Sequence, residues 1–153
     1  MLKLLPTIIW RHRKENLKKC SLKNLETRKD LRFFTYPTEK LVDISNYIVL
    51  TMDAPELTEK DKYYSLFFID ATWKYAEVMK NQLKKQHKIK WRSLPNIYKT
   101  AYPRKQTNCP DPACGLATVE AIYLSYLITK KETKGLLDHY HFKDQFLKLN
   151  LLS

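Results

Sequence analysis

The sequence predicts an α/β protein whose mostly parallel sheet is covered by helices. Apolar runs of strand length and helical patterns follow one another in the order β, β, β, β, α, β, α, α. The strand runs are nearly continuous in apolar character, as strands covered on both faces are. The 153 residues, 44% of them hydrophobic, suffice for one domain with a substantial core. No repeat, low-complexity tract or linker divides the chain. Residues 1–153 therefore read as a single domain, with an N-terminal part over about 1–55 and a second part over about 56–153.

Thr7-Ile-Ile-Trp10 reads as a short buried strand. Lys3 and Pro6 interrupt the apolar N-terminus, Arg11-His-Arg-Lys follows, and no small-residue cleavage site is present. A signal peptide is not expected, and a cytoplasmic protein is. Arg11, Arg13, Lys14, Lys18 and Lys19 form a basic segment with only Leu17 and Leu22 as apolar anchors. It reads as an exposed loop or short helix, either a solvated face or a phosphate-binding one.

Leu31–Tyr36 is an aromatic-rich strand ending at Pro37, with a turn over Thr38–Leu41. Tyr47–Met52 is a continuous apolar run suited to a central parallel strand. Thr58-x-x-Asp61 has the spacing of a helix start. Tyr64-Ser-Leu-Phe-Phe-Ile then forms a strand that ends in Asp70. A helix over Thr72–Lys88 places Trp73, Ala76, Val78, Met79 and Leu83 on one side and its lysines largely elsewhere.

Ile89–Pro95 is a strand or extended segment, and a long loop with four prolines runs from there to Gly115. A loop of that length in a compact domain is usually functional. Leu116–Thr129 is apolar nearly all round, as a buried helix is. Glu120 lies one turn into it and needs a partner, a ligand or a place at the helix N-terminus. Thr133–Asn150 reads as a last amphipathic helix using Leu136, Leu137, Tyr140, Phe146 and Leu147.

Lysine and arginine number 28 against 16 aspartate and glutamate, a net charge of +12. Such an excess favours an anionic polymer as partner, although a basic surface also serves solubility. No run approaches the ~20 apolar residues of a membrane span, so no membrane partner is expected. Cys20, Cys109 and Cys114 cannot all pair with one another, and reduced thiols follow. The Cys109–Cys114 spacing is wider than the usual zinc pair and no second pair follows, so no metal is expected. His139 and His141, two residues apart, would point in different directions on a helix and read as surface or packing residues. With two glycines, the chain has no phosphate loop, and it has no G-x-S-x-G or paired-histidine zinc motif.

A strand that carries Asp70 to its C-terminal end, next to a helix start, puts a carboxylate where open α/β sheets bind ligands. Asp70 and Thr72 would equally serve as helix caps. The choice turns on a set of motifs in order: Asp70-x-Thr72-Trp73, Arg92-Ser-Leu94-Pro95, Thr100-x-Tyr102-x-Arg104 and Leu116-Ala-Thr118-Val-Glu120-Ala121. This set resembles the D-x-T-W, S-x-Y-x-R and L-S-T-L-E-A motifs of the DTW-domain tRNA-uridine aminocarboxypropyltransferases. It is also similar to a related family acting on small-subunit rRNA, with D-C-S-W, R-x-L-P and L-S/T-C-V-E-A. Lys18-Lys-Cys-Ser21 resembles that family's K-K-C-S/T. The resemblance spans roughly residues 8–150. The N-terminal cysteine cluster of many DTW proteins is missing, and Pro103 and the Cys109–Cys114 insertion are departures.

The resemblance implies a SPOUT-like fold with a C-terminal trefoil knot that holds S-adenosylmethionine (SAM). It implies transfer of the 3-amino-3-carboxypropyl group to N3 of a uridine or pseudouridine. The RNA would be tRNA ahead of rRNA, because D-x-T-W and T-x-Y-x-R lean that way. Asp70 becomes the expected general base. Thr72, Leu94, Pro95, Asn96, Tyr98, Tyr102, Gly115, Leu116, Thr118 and Ala121 become the expected cofactor contacts. Arg104 would pair with the methionyl carboxylate or an RNA phosphate, and Trp73 would stack on a base or pack the sheet. Arg11, Arg13, Lys14, Lys18 and Lys19 would contact phosphates, and Glu120 would fix the knot by accepting backbone N–H bonds. Two other classes fit the same features: a SAM-dependent RNA methyltransferase of similar fold, and a non-catalytic RNA-binding or ribosome-assembly module. The absence of a heptad repeat in the last helix favours a monomer.

Overall fold

The computed structural model describes residues 4–15, 21–86, 88–103 and 115–152, with the Gln86 side chain left out. Leu17, Lys18, Lys19, Cys20, Arg104, Cys109 and Cys114, all singled out from the sequence, lie outside these residues. Five strands, β1 (Thr7–His12), β2 (Leu31–Tyr36), β3 (Tyr47–Leu50), β4 (Ser65–Asp70) and β5 (Lys90–Arg92), form one parallel sheet in the order β2-β1-β4-β3-β5. Helices α1 (Trp73–Gln86), α2 (Thr118–Ile128) and α3 (Lys143–Leu149) complete the mixed α/β architecture. All-parallel pairing requires crossovers that cover the sheet, and both faces are covered accordingly.

Strand side chains alternate, so each strand feeds two cores. On one face, Ile9, Ile48, Leu66 and Phe68 pack with Val119, Ile122, Leu124 and Phe146 of α2 and α3. On the other, Ile8, Trp10, Val49 and Phe67 pack with Met79 and Leu83 of α1. Both cores are largely aliphatic and aromatic, and burying each large side chain contributes roughly 1.5–3 kcal/mol.

Three expectations need correction. β1 continues two residues past Trp10, so Arg11 and His12 are strand residues and buried, not part of an exposed loop. Val78 is 54% exposed, since at about 100° per residue it points about 140° away from Leu83. The last helix covers only Lys143–Leu149. Ahead of it, Leu136, Asp138, Tyr140 and Lys143 each donate to the carbonyl three residues back, which gives successive tight turns. Gly135, with φ +85°, opens that run in the left-handed region. Arg28 ties this segment down by donating to the carbonyls of Lys134 at 2.6 Å and Glu132 at 3.2 Å while pairing with Asp30 at 2.7 Å. That ion pair raises the Arg28 pKa further above its ordinary value. Thr58 and Asp61 do cap a helical turn, but a single 3-10 turn over Glu59–Asp61.

Candidate active site

Arg11 of β1 and Asp70 of β4 stand opposite each other in the parallel register. Their side chains therefore emerge on one face, the face that α2 covers. Asp70 is 4% exposed. Arg11 Nε donates to Asp70 Oδ2 at 3.1 Å, and Thr118 Oγ1, at the start of α2, donates to Asp70 Oδ1 at 2.8 Å. Arg11 also lies over the Phe33 ring at 4.7 Å and has Nη1 3.8 Å from Glu26 Oε1. A guanidinium and a carboxylate buried together offset each other's desolvation only when hydrogen bonded this closely. Arg11 is thus an ion-pair partner inside the fold, and it is 9% exposed. Arg13 and Lys14, past the end of β1, are exposed.

Two residues further along α2, Glu120 is fully buried. It accepts from Thr100 Oγ1 at 2.6 Å, Ala101 N at 2.9 Å, Ala117 N at 2.8 Å and Tyr140 OH at 2.9 Å. The bond from Ala117 N is half of a capping box. A carboxylate has about four lone-pair sites, and four donors reach this one. Glu120 therefore joins the loop after β5, the start of α2 and the turns before α3. Thr100 Oγ1 in turn accepts from Tyr102 N at 3.0 Å, and Ser21 Oγ accepts the Val119 N–H of the first turn of α2 at 3.2 Å.

Around this pair of carboxylates lie the loops that follow β5 and precede α2. Leu94, Tyr98, Tyr102, Leu116 and Ala121 are partly buried against the α2-side core. Pro95 is half-buried, Asn96 is exposed, and Gly115 takes φ +74° at the approach to α2. Thr72 is exposed, and its carbonyl accepts the Ala76 N–H that opens α1. Trp73, 36% exposed, lies outside both core clusters. Arg92 pairs with the buried Asp61 at 3.3 Å, a structural contact.

On the opposite face His12 stacks on Tyr75 at 4.1 Å, and burial beside Arg13 and Lys14 lowers its pKa. His139 and His141 are exposed. Among the described residues no group of three or more His, Cys, Asp or Glu could hold a metal, and no helix is long and apolar enough to cross a membrane. Sequence reasoning missed the Arg11–Asp70 pair, which a two-residue extension of β1 would have brought into register. It also missed Tyr140 on Glu120, for which no local signal exists.

A parallel sheet with a buried ion pair at its carboxyl edge, bonded to a helix N-terminus, defines an α/β protein of the open-sheet kind, in which that edge is where ligands usually bind. The chain belongs to the DTW domain family, whose model matches residues 2–148. In three dimensions it is similar to the SAM-dependent rRNA:acp-transferase Tsr3 from Vulcanisaeta distributa, with a TM-score of 0.67 and 20% identity over 96% of this chain and 79% of that one. Among curated proteins no match to the chain is found.

Proposed function

We propose that the chain is a SAM-dependent RNA-uridine aminocarboxypropyltransferase. The observation that carries this reading is the buried Arg11–Asp70–Thr118 cluster, in which Asp70 of D-x-T-W and Thr118 of L-A-T-V-E-A meet Arg11 of β1 in a DTW-family chain. The fold shared with an enzyme of that activity supports it. The surrounding residues fit the cofactor: Leu94, Tyr98, Tyr102, Leu116 and Ala121 offer a partly buried apolar and aromatic wall between two loops. A flat adenosine ring with polar edges suits such a wall and the backbone amides beside it. SAM, when bound, supplies an electrophilic carbon next to its sulfonium. We further infer a SPOUT-like trefoil knot running from β5 to α2, with the Glu120 hydrogen bonds as its lock.

In this reading Arg11 and Thr118 hold and aim the Asp70 carboxylate, and Asp70 takes the N3 proton of the uridine as that nitrogen becomes the nucleophile. Burial of the carboxylate excludes water that would compete for the same position. Trp73 is available to stack on a base, and Arg13 and Lys14 to meet phosphates. The motif matches favour tRNA, while the likeness to an rRNA enzyme supports rRNA as a second reading.

The test is to incubate the protein with SAM and, separately, tRNA and rRNA, then weigh the nucleosides. Transfer of the larger group adds about 101 Da to a uridine and a methyl group about 14 Da, which follows from which carbon the nucleophile meets. The larger increment supports the proposal and its RNA arm names the substrate. The smaller one makes the chain a methyltransferase, and RNA binding without any increment makes it a non-catalytic module.

A further inference from the structure

A second basic surface lies on the other side of the sheet. Between Trp73 and Arg92 the chain carries Lys74, Lys80, Lys84, Lys85, Lys88 and Lys90 against one acid, Glu77. Among the described residues none of these lysines is in an ion pair. Helix α1 buries Met79 and Leu83 in the core, and of its cations Lys74, Lys84 and Lys85 are exposed while Lys80 is buried toward Trp91 of the edge strand β5. There Lys80 and Lys84 sit 5.9 and 5.8 Å from the Trp91 ring, and Lys90 sits 4.3 Å from the Tyr64 ring. These ammonium groups thus lie over aromatic faces; Lys80 is buried there, while Lys84 is exposed and Lys90 half-buried, and these two keep charge facing solvent.

The exposed Trp73 and Lys84 fall at i and i+11, one row along the helix about 16 Å long at 1.5 Å per residue, with the buried Lys80 between them. The row begins beside the loop that leaves Asp70. Lys84 and Lys85 crowd two exposed like charges at the end of α1, a cost that a polyanion removes. A membrane surface is the weaker fit. Interfacial binding needs an apolar helix face to sink into lipid, and the apolar face of α1 is already used by the core.

We propose that the α1–β5 face docks the sugar-phosphate backbone of the RNA substrate outside the transfer site. This rests on the reading of the chain as an RNA-modifying enzyme. The test is the variant Lys84→Ala/Lys85→Ala/Lys88→Ala in the full chain, all three exposed and the first two within a helix that tolerates alanine. SAM affinity and thermal midpoint serve as controls for folding.

The variant is expected to bind RNA about tenfold more weakly near 0.1 M salt, with the slope of log affinity against log salt reduced by about 2. KM for RNA should rise with kcat unchanged. Unchanged RNA affinity and salt slope overturn the docking proposal, even if the wild type modifies RNA. Loss of binding to anionic vesicles with RNA binding intact overturns it in favour of a membrane. If the wild type binds RNA and the variant loses that binding, docking stands even where no nucleoside is modified, and only the transferase reading falls.

Discussion

Glu120 and Asp70 are both buried carboxylates, but the consequences of removing them differ. Glu120→Ala leaves two backbone N–H groups and two hydroxyls without their acceptor, and about 3–5 kcal/mol of stability should be lost. Denaturant unfolding reads this directly, and Glu120→Gln should recover part of it. Asp70→Asn weakens the hold on Arg11, and transfer should fall at least about 100-fold with RNA affinity kept. Thr118→Val should lower kcat with the KM for RNA kept, and Thr118→Ser should restore kcat, because only the hydroxyl reaches Asp70. A merely structural Thr118 would lower stability without lowering the kcat of the folded enzyme. From the sequence, Glu120 was legible as a charge in an apolar helix that had to be satisfied. Its partners Thr100 and Tyr140 lie 20 residues away on either side, and no spacing rule links residues across such loops.

At the scale of elements, hydrophobic runs mark the strands well because a parallel strand is apolar on both faces. β2 occupies the residues that its aromatic content and Pro37 indicate. β1 is longer than its apolar run because the Arg11–Asp70 pair lets a charged residue continue a buried strand, which periodicity cannot anticipate. The stretch before α3 misleads for the opposite reason. Leu136, Leu137 and Tyr140 have helical spacing and are buried, yet tight turns with carbonyls three residues back satisfy the same pattern. Gly135 is the local reason, and Gly135→Ala should cost about 1 kcal/mol because its φ of +85° disfavours a Cβ. The added Cβ meets Arg28 Nη1 at 3.5 Å, an ordinary contact, so backbone strain and not crowding sets the loss. A chemical denaturation curve with unchanged slope and a shifted midpoint is the expected record.

For the molecule as a whole, a net charge of +12 makes any buried cation without a carboxylate a visible burden on folding. Lys131 is the clearest case. Its Nζ donates to Thr129 Oγ1 at 3.2 Å and to the Lys62 carbonyl at 3.4 Å, both neutral acceptors. Burial pulls its pKa down from 10.5 to about 8. Below about pH 8 both folded and unfolded chains carry the proton, and the folded chain bears the full desolvation cost. Between about 8 and 10.5 the unfolded chain holds a proton that the folded chain has released, so stability contributed at this site rises with pH. Lys131→Met should therefore stabilise the protein by about 1–2 kcal/mol at pH 7, allowing for partial solvation of the amine. The advantage over wild type should shrink through pH 8–10.5, a window that other lysines share but that cancels in the difference between the two proteins. A constant advantage across that range would mean that packing, not the buried charge, limits stability at this site.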